Sequence, residues 1–434
     1  CCHPACTATS PTRHVDWTAG EVSLLAESVA WPETGRPRRA AVSSFGISGT
    51  NSHMILEQPP EDTAPGGLSV GVAAGLGDLR KDRGGCAAGA GHPVGGVSRH
   101  GRVRTPGSGR PRYSLATTRS GFTHRAAVIG ETLADLRDGL ARIVTGRPGG
   151  NVVTGTSARG KTAFMFTGQG AQRIGMGRGL YETYPVFARA LDEVCSALDE
   201  HVETPVRQVI WDESDGGGAK LDSTEYTQPA LFAIEVALYR LLRDWDITPD
   251  YLIGHSIGEI TAAHVAGVFS LPDAAALVGD RGRLMQSTKP GLMIAVRARE
   301  EDILPRIDGR VDLAAVNGAE SVVLAGAERD VQAVASELSA AGLKTTSLRV
   351  ERAFHSTLMD PILDQFAAVV SRLTAQPPKI PVVSNVTGRV ATAEELMAPD
   401  YWTRHIRHAV RFHDGVCALD ELGVTRLVEV GPGA

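Results

Sequence analysis

The chain has 434 residues, 42% of them hydrophobic and 21% charged, and a formal net charge of -5. That composition describes a globular protein of two or three domains, with no electrostatic pull toward nucleic acid. No apolar run reaches the roughly 20 residues that span a bilayer, and the opening CCHPACTATS lacks a leader's apolar stretch, so no membrane association and a reducing cytoplasmic setting are expected.

Three of the six cysteines (Cys1, Cys2, Cys6, Cys86, Cys195 and Cys417) crowd the first six residues, which is no disulfide framework. Cys1, Cys2, His3 and Cys6 lack a second ligand pair at zinc spacing, so no metal is expected. The first folded texture, from Val15 to about Pro60, ends in RRAAVSSFGISGTNSHMILEQPP. Two strand-like runs, AAVSSF and SHMILE, flank Gly46, Gly49 and Asn51, which suit a tight turn. One hairpin is marginal alone, so this zone is expected to complete a larger sheet. Residues 61–112 are rich in Gly and Arg, without sustained periodicity; they read as flexible linker or as locally out of frame, as does CCHPACTATS. Order resumes at YSLATTRSGFTHRAAVIG, and Leu133, Leu136, Leu140 and Ile143 give the next segment a helical apolar face.

From Lys161 strands and helices alternate, which predicts a parallel α/β sheet. TAFMFTG is a buried strand followed by the loop GQGAQRIGMG. PALFAIEVALYRLLRDW is a helix, YLIGHS a strand and IGEITAAHVAGVF a helix. Between about 290 and 351 the segments GLMIAV, EEDILPRI, DLAAVN, SVVLAG, ERDVQAVASELSAAG and KTTSLRV read in the order β-α-β-β-α-β, the ferredoxin-like arrangement, inserted as a small subdomain in a core of α/β-hydrolase type. ELGVTRLVEVGPGA reads as helix end, strand and Gly-rich turn.

Gly254-His255-Ser256-Ile257-Gly258 fits G-x-S-x-G between an apolar strand and a helix. Such an elbow holds a serine oxygen above the sheet, near a helix N-terminus that favours negative charge. His355, in RAFHST, follows the last strand of the insertion and is the candidate base. The amides of Ile257 and Gln169, the latter in the loop after the first parallel strand, are the candidate oxyanion hole. FTGQGAQRIGMG has no Lys-Ser/Thr pair, so a phosphate cradle is the weaker reading of that loop. Arg281, in VGDRGRLMQ, is by composition a solvated helix arginine; buried, it would bind a carboxylate through two parallel bonds.

FTGQGAQ, GHSIGE, the arginine of RGRLMQ, AVNG, AFHS and VEVGPG occur in that order. The set resembles the acyltransferase domain of modular type I polyketide synthases, related to malonyl-CoA:acyl-carrier-protein transacylases. The resemblance covers 161–434; residues 61–160 resemble the preceding linker, and 1–60 the C-terminal end of a ketosynthase. It implies transfer of an acyl unit from coenzyme A, through an ester on Ser256 with His355 as base, to the phosphopantetheine thiol of an acyl carrier protein, with no bound cofactor. The partners implied are malonyl-CoA, that carrier protein and an upstream ketosynthase. A backbone carbonyl near HAVRF is expected to orient His355 in place of an aspartate. Arg281 is expected to bind the extender's free carboxylate, with His255, Phe354, Asn317 and Gln228 also lining the substrate. Malonyl-selective members carry His-Ala-Phe-His and methylmalonyl-selective ones Tyr-Ala-Ser-His. Arg352-Ala353-Phe354-His355 sides with malonyl by its Phe and departs from it by its Arg. The alternatives are a methylmalonyl-selective transferase, a serine hydrolase or thioesterase using an acid such as Asp273, Asp280 or Asp312, and a non-catalytic docking fragment.

Overall fold

The structure, a computed structural model, describes residues 124–432 apart from 131, 148, 157–159, 215 and 308, together with the backbone of 39–45, 51–57 and 72–73. The leading cysteines, Gly46, Gly49 and nearly all of 61–112 lie outside the described residues. The chain divides into two units, Cys1–Val70 and Gly71–Ala434. In the first, β1 (Arg39–Phe45) pairs antiparallel with β2 (Asn51–Glu57), Arg39 opposite Glu57 and Phe45 opposite Asn51. Asn51, read as a turn residue, is the first residue of β2.

The second unit opens with a three-stranded antiparallel sheet. Its strands β3 (Val72–Ala73), β4 (His124–Ile129) and β5 (Val152–Thr156) lie in that order. β3 falls where the sequence has no strand pattern, because two residues cannot carry a period and pairing with β4 defines them. The helix Leu133–Val144 starts with a reciprocal capping box between Thr132 and Asp135. It packs Leu136, Leu140 and Ile143 against Ala126, Val128 and Val152.

Eight strands follow: β6 (Lys161–Phe166), β7 (Tyr251–Gly254), β8 (Leu292–Val296), β9 (Asp312–Gly318), β10 (Ser321–Gly326), β11 (Thr345–Ser347), β12 (Val382–Val383) and β13 (Val424–Val430). Four of them build a wholly parallel sheet in the order β12-β7-β6-β13. Both faces of this sheet are covered, and the strand period of two sorts the side chains. Phe164, Phe166 and Leu252 enter the large core under the helices Pro185–Leu198, Thr224–Asp244 and Leu271–Gln286. Ala163 and Ile253 face the other way, onto Val383, Leu419 and Val424. The 21-residue helix Thr224–Asp244 is buried along most of its length, which explains why its apolar residues run almost all round it.

The other four strands form an antiparallel sheet in the order β11-β8-β10-β9. The helices Glu300–Ile307 and Glu328–Ala340 complete the element order β-α-β-β-α-β and share with it a separate core containing Ile294, Ile303, Leu324, Val331 and Leu338. Its edge strand β9 is tied to the larger body: Val316 N donates to the Val410 carbonyl at 2.9 Å, and Val410 N to the Ala314 carbonyl at 2.9 Å.

Candidate active site

Parallel sheets gather chemistry at the carboxyl ends of their strands. Here β6 delivers Thr167, Gly168 and Gln169, β7 delivers His255 and Ser256, and β12 delivers Ser384 and Asn385. The β7 turn is too tight for side chains on its flanks. A Cβ at Gly254 would lie 2.0 Å from the Gly258 carbonyl carbon, and one at Gly258 would lie 2.5 Å from the Phe166 carbonyl oxygen. Ser256 sits at φ 51° and ψ -112°, a conformation that non-glycine residues avoid. It occupies the N-cap of the helix Ile257–Ala266, yet its hydroxyl makes no capping bond.

That hydroxyl instead lies 2.9 Å from His355 Nε2. On the far side of the ring, Nδ1 lies 3.0 Å from the His408 carbonyl oxygen. A carbonyl only accepts, so Nδ1 carries the proton and Nε2 presents its lone pair to the serine O–H. His355 also has positive φ, 56°; the only other such non-glycine residues among those described are Ser256 and Asp246. The pKa of His355 is held well below its ordinary value, first by burial, then by the Arg281 charge and by His405 and His255. The ring is therefore a neutral acceptor at pH 7. Among the described residues no carboxylate takes a triad's third place: Asp312 binds Thr357 and Arg407, Asp273 caps its helix with Ser270, and Asp280 pairs with Arg283.

Arg281, expected on composition to be solvated, is 1% exposed. One guanidinium nitrogen donates to Gln228 Oε1 at 2.8 Å and another to Ser256 Oγ at 3.1 Å. Its Nε has no partner, and no carboxylate is hydrogen-bonded to it among the described residues. Desolvation pulls its pKa down to about 9, against the opposing pull of Glu259, which leaves it charged at neutral pH. Gln228 is thus tied to Arg281 and, through Nε2, to Met285 Sδ at 3.3 Å.

The β6 loop packs onto the elbow. A Cβ at Gly168 would lie 2.8 Å from His255 Nδ1 and 2.9 Å from the His255 carbonyl oxygen. The amides of Gln169 and Ile257 have no hydrogen-bond partner among the described residues, and the Gln169 side chain reaches Thr224 Oγ1 only at 3.5 Å. His255 Nε2 meets Asn317 Oδ1 at 2.9 Å, and its ring leans on Phe412. His255 and Asn317 are therefore partners of each other across the two sheets. Phe354 is 6% exposed beside His355, part of the large core.

Sequence reasoning missed the polar layer beneath the elbow. Asn385 Oδ1 accepts from Ser256 N at 2.7 Å, and its Nδ2 donates to the Gly254 carbonyl at 2.6 Å. Fully buried Glu259, one turn along the elbow helix, accepts from Asn385 N at 2.7 Å and from the Tyr401 hydroxyl, and faces His405 at 3.4 Å. Glu235, also fully buried, pairs with the hydroxyls of Thr167 at 2.6 Å and Thr261 at 2.7 Å, and burial pushes its pKa up to about 8. The available signal was a carboxylate inside an apolar helix, for both glutamates; Asn385 carried none, because the two-residue strand before it is defined only by its pairing with β7.

No group of three or more His, Cys, Asp and Glu residues could hold a metal among the described residues, and no helix there is long and apolar enough to cross a membrane. Residues 163–434 match the family described as acyl transferase domain. The chain is 46% identical, over 98% of its length, to the phenolphthiocerol synthesis polyketide synthase type I Pks15/1 of Mycobacterium marinum, of which it covers 20%. It thus spans about a fifth of that relative. Its fold is similar to the acyltransferase domain from the second module of the salinomycin polyketide synthase, with a TM-score of 0.67 and 45% identity over 79% of this chain and 80% of that one. It is also similar to the malonyl-CoA:acyl carrier protein transacylase of Xanthomonas oryzae, with a TM-score of 0.59 and 32% identity over 64% of this chain and 89% of that one.

Proposed function

The chain belongs to the acyl transferase domain family, and from that footing we propose that it moves a malonyl unit from coenzyme A to the phosphopantetheine thiol of an acyl carrier protein. His355 Nε2 takes the Ser256 proton as Oγ attacks the thioester carbon, and the amides of Ile257 and Gln169 receive the developing oxyanion. The C–S bond breaks as His355 Nε2 hands that proton to the coenzyme A sulfur, which leaves as the thiol, and His355 is neutral again. In the second half the carrier thiol gives its proton to His355 and its sulfur attacks the ester carbon; the ester C–O bond breaks and His355 returns the proton to Ser256 Oγ.

The observation that carries this reading is Arg281: a buried cation 3.1 Å from the nucleophile, with no carboxylate hydrogen-bonded to it among the described residues. A guanidinium in that state favours a substrate that brings its own carboxylate. Malonyl is preferred over methylmalonyl because of Phe354, whose ring would take the space of an α-methyl group. A methylmalonyl-selective enzyme is the second reading, because Arg352 matches neither the His of malonyl-selective members nor the Tyr of methylmalonyl-selective ones; its Nε donates to the Gln286 carbonyl at 2.9 Å. One methyl group is worth only about 1–3 kcal/mol of discrimination. In this reading the parallel sheet is a hydrolase-like core, and β8 to β11 with their helices are a ferredoxin-like insertion. Residues 61–160 are linker, and 1–60 the end of a ketosynthase that works upstream in a longer synthase.

The test is intact-protein mass spectrometry with malonyl-CoA and methylmalonyl-CoA supplied together, for wild type and Ser256→Ala. A malonyl adduct on wild type alone is expected. A methylmalonyl adduct would overturn the selectivity, and an adduct on Ser256→Ala would overturn the nucleophile.

A further inference from the structure

We propose that Asn385 is a positioning residue for the nucleophile, a strut that holds the elbow in its unfavourable conformation; this rests on the acyl-serine reading above. At φ 51° and ψ -112° the Ser256 backbone does not stay in place by preference, so something must hold it. The Asn385 carboxamide spans the turn. Its oxygen takes the Ser256 amide at 2.7 Å, and its nitrogen gives to the Gly254 carbonyl at 2.6 Å. These two bonds fix the amide orientation, since a flipped carboxamide would set donor against donor and acceptor against acceptor.

The strut is itself anchored at both ends. Asn385 N donates to Glu259 Oε2 at 2.7 Å, and the Asn385 carbonyl accepts from Arg411 N at 2.7 Å. At 2% exposed, the residue has little water to compete for these bonds. Because Asn385 occupies the Ser256 amide, that N–H is not an oxyanion donor, and the burden falls on the amides of Ile257 and Gln169. Asn385 bonds neither Ser256 Oγ nor His355, so its effect passes through the elbow backbone at Gly254 and Ser256.

Asn385→Asp separates this role from packing. The ionised carboxylate still accepts from Ser256 N but faces the Gly254 carbonyl oxygen without a proton; the acid form restores the donor. The groups around it are Glu259, which shares its carboxylate with Tyr401 and faces His405, and the Arg411 backbone amide, whose side chain is turned to Glu300 and Asp414. Burial beside Glu259 favours the acid form, so the variant recovers as pH falls. Single-turnover malonylation, with pH lowered from about 8.5 to about 6 at a temperature where the protein is folded, reads this out. The expected result is a loss of about 10²-fold at the alkaline end, shrinking about tenfold toward the acid end, with the malonyl-CoA KM within about twofold of wild type. Asn385→Ala is expected to lose about 10²-fold at every pH. A variant-to-wild-type ratio that stays flat with pH, or a loss confined to KM, would overturn the proposal. Amide hydrogen exchange of wild type gives a check independent of variant folding: a protected Ser256 amide is expected, and a fast-exchanging one overturns the strut. Wild type that takes neither malonyl nor methylmalonyl would sink the transferase reading together with this proposal, whereas active wild type beside an unimpaired Asn385→Asp would sink the strut alone.

Discussion

In the proposed reaction His355 must be neutral to accept the serine proton, and its burial, the Arg281 charge and two further histidines all work against protonation. A lowered pKa extends the neutral form toward acid. The acylation kcat/KM, which reports the free enzyme, is therefore expected to stay level as pH falls through about 6.5 and to decline only below it. A midpoint at the ordinary histidine value, read from the pH profile, would contradict this. Arg281→Ala should remove a two-bond, charge-assisted contact with the substrate carboxylate, about 3 kcal/mol or roughly 10²-fold in malonyl kcat/KM. It should also narrow the preference for malonyl over acetyl, which competition between the two thioesters measures. Ser256, His355 and Arg281 were legible in the sequence because their positions follow from a turn motif, a strand end and a matching motif order. Asn385 was not, because its role depends on β12 lying beside β7, and no spacing along the chain encodes which strands are neighbours.

At the scale of elements, glycines decide how closely the β6 loop and the elbow approach. Gly168→Ala would push a methyl to 2.8 Å from His255 Nδ1 and force the loop, with the Gln169 amide, off the elbow. A loss of about 10²-fold in acylation rate is expected, with about 1–3 kcal/mol of overpacking read as a lower melting temperature. Full activity in that variant would remove the loop from the site. Helices and strands with clear period or edges were read closely: EEDILPRI is the helix Glu300–Ile307 and SVVLAG is β10 residue for residue. KTTSLRV was read as one long strand, but the strand proper is Thr345–Ser347 beside β8, flanked by single bonds from Arg297 N to the Lys344 carbonyl at 3.0 Å and from Leu348 N to the Met293 carbonyl at 2.9 Å.

Across the whole second unit, buried titratable groups set opposing pH slopes. His255, His264 and His355 all have lowered pKa values, chiefly from desolvation; their contribution is complete above about 6.5 and is lost as pH falls below it. Glu235 is the reverse case: raised to about 8, its contribution is complete below the unfolded carboxylate value and is lost as pH rises through about 8. The melting temperature is therefore expected to peak near pH 6.5 and to fall toward about 8, on a slope of about 1.4 kcal/mol per pH unit for this one proton. Glu235→Gln should flatten that alkaline side in a calorimetric series, and an unchanged slope would show that Glu235 ionises normally. Neither slope could be read from composition, because a glutamate inside a helix reveals its burial only once the helix is packed on all sides. One feature of this unit also bears on how the sequence can drift: the group that orients His355 is the peptide carbonyl of residue 408, and the same stretch pairs with β9 through the backbone of Val410. A peptide group is supplied by every amino acid, so side-chain replacement at 408 leaves the orienting oxygen in the chain. Lineages can exchange residues there while the path of the main chain stays fixed, and a survey that weighs importance by side-chain identity would pass over one of the site's working parts.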